Sequence, residues 1–462
     1  MSELNSTRSF KFKSVVVTDK KGKEQSITGL CASFSYGEKI TSPFVSASLV
    51  IIDSAGAFDL IAFSGGEKVT ITLTDTIKNN SKSDDVVYEL YVWKVANRFV
   101  QDQKQHYTLG LISREAIINE GLRVQTPLEG KPEKIIDEDL LKGVLKTEKD
   151  FFSDPTQFEI KMLPNRGRPF DIIHKMTSKA VPQQQKWGSG TVSSNSANES
   201  IEGTAGYFFW ESKKGFNFYS VDGLCKLDNE DRPPWGPYVD VPANDDNADP
   251  QFNVLRANFE SEIDVMTNLR IGKYSSLMIF FNPSTGQYDE YVYNLKDSYD
   301  KMEHLGSGEL DLIPTSEIEL SEYPTRYMST ILDHETWFAG GTPADPESEA
   351  GSTAPAPFAD WQKYFAAQSL SRYTSLTNQK ATIVIPGNSE ICAGDLIDIQ
   401  LKSKLPTDDR NKEPFDLESS GVYLINEVIH QYDISSGANG KFETTLVLNR
   451  DAYGVPNTDS NH

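Results

Sequence analysis

The sequence predicts a mainly β protein with α+β insertions, in which two related β-barrel domains flank a middle region containing helices and a hairpin. The chief observation is an internal repeat. Residues 66–73 and 394–401 both read as glycine, an acid and then apolar residues at every second position. Residues 107–116 and 444–452 end in similar runs, Ser-Arg-Glu-Ala and Asn-Arg-Asp-Ala. Such alternation is typical of half-buried strands, so each copy is expected to be a β domain.

Two further pairs of segments complete the repeat in the same order. Residues 87–100 correspond to residues 422–432, and residues 47–52 correspond more loosely to residues 381–386. A duplicated barrel suits a ring-forming protein, because a few chains then present many similar faces. The alternative is that unrelated alternating strands resemble one another by chance.

The 462 residues are too many for one ordinary core, and changes in composition divide the chain into five parts. Residues 1–125 form the first predicted barrel, and residues 126–205 form a helical connecting region with a Ser- and Gly-rich loop. Residues 206–338 are predicted to form an α+β middle domain. Residues 339–358, rich in Gly, Pro and Ala, indicate a linker, and residues 359–462 form the second predicted barrel.

Apolar spacing and turn residues place helices and a hairpin in the middle of the chain. A helix is predicted over about residues 133–146, and a second begins at Pro169, a favoured first-turn residue, and stops before Pro182. A Lys-Lys-Gly turn between two aromatic runs predicts a hairpin over residues 206–224. A third helix, which carries Trp361, precedes the second barrel. An open alternative is that the second barrel takes strands from the hairpin.

The charge balance argues against nucleic-acid binding. The chain has 45 Lys and Arg against 67 Asp and Glu, for a formal net charge of −22. Proteins that bind DNA or RNA rely on Lys and Arg to displace counterions. An acidic solvated surface explains the charge, and so does an acidic channel whose wall repels phosphates and lets DNA slide through.

No segment predicts export or membrane insertion. No run approaches the roughly 20 apolar residues that a membrane-spanning helix needs, and the first residues lack an apolar signal region. Cys31, Cys225 and Cys392 are odd in number and widely separated. They are expected to be reduced cysteines of a protein made in the cytoplasm, not a disulfide framework.

The sequence contains no pattern that predicts catalysis, a cofactor site or a metal site. It has neither a Gly-x-Ser-x-Gly elbow nor a phosphate-binding loop, and its six His are scattered. Asp245, Asn247 and Asp249 alternate as in a calcium loop, but Pro250 stands where the loop needs Gly and Arg256 where it needs Glu. We therefore expect no enzymatic activity, no cofactor and no bound metal.

Several segments resemble a known family. They are Gly-Tyr-Phe-Phe-Trp-Glu at residues 206–211 with a return strand through residues 221–224, Arg-Pro-Phe-Asp-Ile-Ile-His at residues 168–174, and the run over residues 420–425 and 448–452. Together they resemble the baseplate hub protein of contractile-tailed bacteriophages and the N-terminal hub half of type VI secretion spike proteins. The Gly- and Pro-rich linker departs from the family pattern.

The resemblance implies a mechanical role with no enzymatic activity. In such hubs three subunits, each with two tube-type barrels, form a ring of pseudo-sixfold symmetry that joins the sixfold tail tube to a threefold central spike. The implied partners are two further copies of the chain, the spike, the tube or its initiator proteins and surrounding baseplate proteins. The resemblance also implies that DNA passes through without being bound, and that the protein belongs to the virion after assembly in the host cytoplasm.

Four residues are candidates for lining the channel. Thr70 and Thr72 occupy the polar face of one repeated strand, and Asp398 and Gln400 occupy the polar face of its counterpart. If the apolar face of each strand enters the barrel core, the polar face is turned toward the lumen of the ring. The alternative is an ordinary solvated outer face.

Two other classes of function stay open at this stage. A tail-associated cell-wall hydrolase would need its active site between residues 206 and 327, where no compact acid pair or His and Cys constellation is evident. A receptor- or carbohydrate-binding tail-tip protein could use Tyr and Trp side chains for stacking. Barrels at both ends of the chain favour assembly over either alternative.

Overall fold

The computed structural model describes residues 8–75, 85–101, 104–183, 205–227, 229–230, 232–240, 250–261, 264–299, 302–306, 321–339, 356–357, 359–404, 415–416, 418–434 and 440–452. The predicted Ser- and Gly-rich loop and most of the predicted linker lie outside the described residues. So do Asp245, Asn247 and Asp249, the residues considered for calcium.

Strands dominate the described residues and occur along most of the chain. They are β1 Arg8–Thr18, β2 Glu24–Ser26, β3 Cys31–Lys39, β4 Ser46–Asp53, β5 Lys68–Asp75, β6 Asp85–Gln101, β7 Lys104–Ile112, β8 Leu128–Gly130, β9 Phe151–Ser153, β10 Glu159–Met162, β11 Tyr207–Ser212, β12 Gly215–Ser220, β13 Trp235–Val239, β14 Arg256–Ser261, β15 Ser275–Asn282, β16 Gln287–Asn294, β17 Arg326–Ile331, β18 Thr336–Ala339, β19 Ala356–Pro357, β20 Gln379–Pro386, β21 Leu396–Gln400, β22 Gly421–Asp433 and β23 Gly440–Arg450.

Helices are mostly short and lie between groups of strands. They are α1 Ala57–Ile61, α2 Arg114–Gly121, α3 Pro132–Lys134, a π-helix Ile135–Leu145, α4 Pro169–Thr177, α5 Val221–Cys225, α6 Val265–Arg270, α7 Lys296–Tyr299 and α8 Ala359–Ser375, with 3₁₀ turns at Thr28–Leu30 and Pro250–Phe252.

The first barrel is a closed ring of strands. Its own strands pair in the order β3-β4-β7-β6-β5-β1, and the ring is closed by β22 beside β3 and β23 beside β1. Along β5 the apolar residues Val69, Ile71 and Leu73 are buried, whereas Thr70 and Thr72 between them are only half-buried. The alternation predicted for this strand is confirmed.

The second barrel repeats the pairing order of the first. In the first copy β4 pairs with β7, β7 with β6 and β6 with β5. In the second copy β20 pairs with β23, β23 with β22 and β22 with β21, and all six pairs are antiparallel. These strands are the four matched segments of the sequence repeat. The predicted fold class, two related barrels in a mainly β chain, is confirmed.

The second barrel also takes strands from the middle of the chain. β13 lies parallel to β21, and β14 lies antiparallel to β20. A backbone bridge between Val239 and Asn253 joins the segments at the two edges of this barrel. The aromatic hairpin, considered as a source of strands, forms a separate sheet with β9 instead.

One long hairpin, β22–β23, belongs to both barrels. Near its open end it pairs with β21 and β20, and near its tip residues 427–433 pair with β3 while residues 440–442 pair with β1. The Tyr432 ring stacks on Phe442 at 4.1 Å between centroids, and its hydroxyl lies 3.2 Å from that of Tyr88. The core of the first barrel therefore contains side chains of the second copy.

Both helices predicted for the connecting region are present, with one difference in type. α3 continues directly into the π-helix, so the segment begins and ends within one residue of the predicted bounds, and α4 begins at Pro169. Buried residues of the π-helix recur five positions apart, which is the spacing of i→i+5 hydrogen bonds. They are Ile135, Ile136, Leu140, Leu141 and Leu145.

The predicted hairpin is present as β11 and β12, but its return strand is shorter than predicted. β12 ends at Ser220, whose hydroxyl accepts a hydrogen bond from the Gly223 N–H at 2.9 Å. This N-cap starts α5, so residues 221–224 are helical and not part of a strand. The prediction missed the capping serine.

α8 precedes the second barrel as predicted. It contributes Ala367 to a small core shared with the sheet β16-β15-β17, where Met278, Phe280 and Tyr293 are buried. The domain boundaries proposed from composition stay predictions.

Candidate assembly surfaces

The turn that opens the repeated strand has the same geometry in both copies. Gly66 has a φ of 88° and Gly394 a φ of 89°, a region that favours glycine. Gly66 and the acid after it exchange two backbone hydrogen bonds with Val92, at 2.7 and 2.9 Å. Gly394 and the acid after it exchange the same two bonds with Ile425, at 2.8 and 2.9 Å.

The acid of this turn has the same task in both copies. The Glu67 carboxylate accepts the Ser64 N–H at 2.8 Å, and the Asp395 carboxylate accepts the Cys392 N–H at 3.1 Å, in each case from three residues earlier. Burial raises the pKa of Glu67, but its hydrogen bonds outweigh burial and hold the pKa below its usual value. The Gly-acid pair of the repeat is therefore a structural turn.

The acid after the last strand of the first copy is buried beside a cation from outside the barrel. Glu115 lies at the start of α2, and its carboxylate is 2.7 Å from the Lys149 Nζ. The same ammonium lies 2.5 Å from the carboxylate of Glu211, which is on β11 and also accepts the Val45 N–H at 3.1 Å. One cation thus joins the barrel, the connecting region and the hairpin.

The two carboxylates that share Lys149 differ in their titration. Burial raises the pKa of Glu115, but the charge and hydrogen bond of Lys149, together with hydrogen bonds from the Glu115 backbone and the Thr147 hydroxyl, outweigh burial and leave the pKa below its usual value. Burial dominates at Glu211 and leaves its pKa raised in spite of the same ammonium. The pKa of Lys149 is raised because its two carboxylate neighbours outweigh burial, so the ammonium stays charged.

The equivalent acid of the second copy, Asp451, has a more deeply buried partner. Arg372 of α8 is fully buried, and its Nη1 lies 2.7 Å from the Asp451 carboxylate. Its Nε donates to Asp222 of α5 at 3.1 Å. His304 Nδ1 lies 2.7 Å from the same Asp451 carboxylate. Burial raises the pKa of Asp451, but the hydrogen bond from His304 and the Arg372 charge hold the pKa well below its usual range.

Another buried acid joins both barrels to the hairpin. Glu38 of β3 is 2% exposed. Its carboxylate accepts the Lys213 N–H from the hairpin turn at 2.5 Å, the Ala393 N–H from the second barrel at 2.9 Å and the Tyr36 hydroxyl at 2.9 Å. Burial raises the pKa of Glu38 to about 7, although these hydrogen bonds lower it. The carboxylate therefore titrates near neutral pH at the junction between the barrels.

The four channel candidates occupy equivalent places in the two barrels. Counted from the turn glycine, Thr70 and Thr72 match Asp398 and Gln400, and all four are half-buried on the face opposite the barrel core. Burial raises the pKa of Asp398, and a hydrogen bond from Gln400 opposes this. Their role as channel residues stays a prediction.

The described residues offer little reactive chemistry. Cys31, Cys225 and Cys392 are buried and free, and burial raises the pKa of the Cys31 thiol to about 12. No group of three or more His, Cys, Asp and Glu in the described part of the chain is arranged to hold a metal ion. Among the helices of these same residues, none is long and apolar enough to cross a membrane.

The fold is shared with a solved tail protein. The tail protein from Neisseria meningitidis superimposes with a TM-score of 0.52 at 12% sequence identity, over 96% of this chain and 97% of that one. The chain has the fold of a tail protein. The resemblance to baseplate hub proteins is borne out at the level of fold.

Two weaker structural neighbours carry related descriptions. The 43 kDa tail protein of a Shewanella oneidensis prophage matches with a TM-score of 0.45 at 9% identity, over 96% of this chain and 100% of that one. A type VI secretion component from E. coli matches with a TM-score of 0.38 at 9% identity, over 96% and 78%. No family model matches the sequence, and no curated protein matches it either.

Sequence reasoning found the repeat but missed the groups that anchor it. Glu115 and Asp451 stand at matching positions of the repeat, which was a signal for a shared role. Their cations, Lys149 and Arg372, come from segments outside the repeat, so no spacing pointed to them. Glu38 was missed because two of its hydrogen-bond donors, Lys213 and Ala393, are distant in sequence. The third, Tyr36, is an ordinary neighbour on the same strand.

Proposed function

We propose that this chain is the structural hub of a contractile phage tail baseplate. Three copies, each with two barrels, form a ring with threefold symmetry and six similar faces. One side of the ring matches the sixfold tail tube, and the other holds the threefold central spike. The observation that carries the proposal is the duplication of one strand-pairing order within a single chain.

The equivalence of the two copies supports the proposal. A face that is to be repeated six times needs two barrels that agree in backbone detail. The turns at Gly66 and Gly394 agree in φ within a degree and in both backbone hydrogen bonds. The fold shared with the Neisseria tail protein is consistent with the same role.

The hub acts by assembly and not by catalysis. Its partners are two further copies, the central spike, the tail tube or its initiator proteins and neighbouring baseplate proteins, within the virion after assembly in the host cytoplasm. The buried carboxylates at Glu115 and Asp451 support this view, because each is neutralised by a cation and serves as a structural ion pair. We expect the purified chain to give no clearing in a cell-wall hydrolysis assay.

The hub proposal is tested by the solution mass of the purified chain, measured by light scattering with and without the candidate spike. A species near three times 51.6 kDa supports a trimer. A chain that stays monomeric at all concentrations, with the spike added, contradicts the proposal.

DNA passes through this ring without being bound, and Thr70, Thr72, Asp398 and Gln400 line the channel. The test replaces all four with Lys, which adds five positive charges per chain. The variant ring is expected to retain linear duplex DNA, which can thread through it, but not covalently closed circles. A control adds the same charge at exposed positions of another sheet and its turn: Ser284, Gln287, Asp289 and Ser329. Equal binding of linear and circular DNA by both variants contradicts the channel assignment.

A further inference from the structure

The long hairpin of each copy is covered to a different extent. At the tip of β22, Val428, His430 and Tyr432 are buried because this part of the hairpin pairs with the first barrel. In the first copy, β6 runs on past Tyr91, the last residue that pairs with β5, and ends at Gln101. The same element is therefore docked in one copy and open to solvent in the other.

The extended part of the β6–β7 hairpin is apolar as well as exposed. Trp93 is 55% exposed, Phe99 53% and Val100 63%. Within the described residues, this stretch of β6 pairs only with β7, so the backbone groups along its outer edge are available to another strand. An exposed strand edge with large apolar side chains is a surface that pairs readily.

The two hairpins are equivalent in register and bend at the point where they leave their barrels. Val92 pairs with Leu111 in the first copy, and Ile425 pairs with Leu448 in the second. In both hairpins a single-residue bulge follows at once, at Trp93 and at the residue after Ile425. A bulge bends and twists the strand, so both tips leave their barrels in the same manner.

The strand that receives the docked tip also has an equivalent. β22 docks on β3, which pairs antiparallel with β4. The corresponding strand of the second barrel is β14, which pairs antiparallel with β20, the counterpart of β4. Among the described residues β14 has no partner on its other edge, and Arg256, Ala257 and Asn258 are exposed.

We propose that the β6–β7 hairpin of one chain pairs with β14 of a second copy, in the way that β22 pairs with β3 within the chain. The inference rests on the proposed hub and names its subunit contact. In the described part of the chain, each copy then offers a free hairpin and a free strand edge, which gives a head-to-tail contact. Inter-barrel contacts within and between chains alternate, and the ring closes when three chains bring six barrels together.

Charge supports a second copy as the partner. The hairpin has a positively charged patch of three exposed residues, Lys94, Arg98 and Lys104. Because the chain as a whole has a net charge of −22, this patch is attracted to the acidic surface of another copy. In the docked contact, Lys39 of β3 and Glu427 of β22 form an ion pair at 3.3 Å. In the proposed contact, Lys94 takes the position of Glu427 and lies opposite the end of β14 that carries Glu260. The signs of the two charges are then exchanged relative to the docked contact.

Cysteine cross-linking tests the contact directly. Gln431 lies opposite Ser35 in the docked contact, and the equivalent positions are Arg98 and Asn258. The Arg98→Cys/Asn258→Cys chain is expected to form reducible trimers on mild oxidation. A second pair, Arg98→Cys/Ala257→Cys, covers a one-residue shift from the further bulge in β6. The control, Arg98→Cys/Ser329→Cys, pairs the hairpin with an exposed position elsewhere and should remain uncross-linked.

Charge reversal provides a second readout. The Lys94→Glu/Arg98→Glu chain is expected to need roughly tenfold or more higher concentration to assemble, and adding Glu260→Lys should recover part of the loss. The Lys20→Glu/Lys23→Glu control changes exposed residues of another turn and should assemble as the natural chain does.

The outcomes separate this contact from the hub proposal. A natural chain that forms trimers, together with normal assembly of the reversed variant and no specific cross-link, overturns the contact and leaves the hub intact. A natural chain that never assembles with the spike overturns the hub. Cross-linking then decides the contact alone: specific disulfide-linked copies support it, and their absence overturns it.

Discussion

The two barrels agree in backbone and differ in what anchors them. Both have the same strand order and the same glycine turn, and both end in a buried acid. In the first barrel Glu115 pairs with Lys149, whose side chain is 35% exposed and shared with Glu211. In the second, Asp451 pairs with Arg372, which is fully buried. The acid therefore occupies the same position in both copies, whereas the cation comes from an unrelated segment in each.

The barrels also differ in which other parts of the chain complete them. The first barrel depends on the second, because β22 and β23 close its ring and Tyr432 and Phe442 fill part of its core. The second barrel instead uses β13 and β14 from the middle of the chain. The first barrel is thus not expected to fold from the first 125 residues alone, even though every strand of its own lies there.

The largest expected effect comes from removing the buried cation of the second barrel. Arg372→Met leaves Asp451 and Asp222 without their guanidinium in a dry site, which typically costs about 3–5 kcal/mol of unfolding free energy. Denaturant unfolding followed by tryptophan fluorescence measures it. Arg270→Met, at an exposed position of α6, is the control and should change stability by no more than about 0.5 kcal/mol. Equal stability of the two variants would refute the anchoring role.

The paired glycines have the same conformation and different neighbours, so their alanine variants are expected to differ in stability. Gly66→Ala forces alanine into a left-handed conformation, which costs roughly 1–2 kcal/mol, and the nearest atom to its Cβ is a flexible Lys20 carbon at 3.7 Å. At Gly394 the Cβ would lie 2.3 Å from the Trp210 ring, which adds about 1–3 kcal/mol of overpacking. We expect Gly394→Ala to unfold at clearly lower denaturant than Gly66→Ala. The reverse order would show that the turns are not equivalent.

The junction between the barrels is expected to weaken as the pH rises. The pKa of Glu38 is raised from 4.5 to about 7. The stability that this bound proton contributes is therefore fully present below pH 4.5 and is lost as the pH rises through 7. Over this window the natural chain should lose up to about 3 kcal/mol relative to Glu38→Gln, whose amide does not titrate. Unfolding curves of both proteins between pH 4.5 and 8 measure it, and parallel pH profiles would contradict the assignment.

A smaller effect is expected at the cation of the first barrel. Lys149→Met leaves two buried carboxylates, but water reaches this partly exposed site, so the expected cost is about 1.5–3 kcal/mol. The cost should shrink at acidic pH, because Glu211, with its raised pKa, takes up a proton once the ammonium is gone. The measurement is the stability difference at pH 5 and pH 8. A loss of stability larger than that of Arg372→Met would contradict the expectation that the fully buried Arg372 stabilises the protein more than Lys149.

The sequence predicted the elements whose signal is local and missed those set by distant contacts. Strand alternation at residues 68–75 and the helix beginning at Pro169 follow from spacing and a first-turn proline, and both are present. The pairing of β14 with β20 joins segments more than 100 residues apart, and no local pattern encodes it. Arg372 carries no motif either, since its role arises only when α8 meets α5 and the end of β23.

We propose that two equivalent barrels per chain build a ring with six similar faces. Electron microscopy of the assembled particle, analysed for rotational symmetry in end views, tests it most directly. We expect threefold particles whose barrel layer has a strong sixfold component, with three chains per ring. A ring of six chains, a twofold particle or a threefold ring without a sixfold component would contradict it.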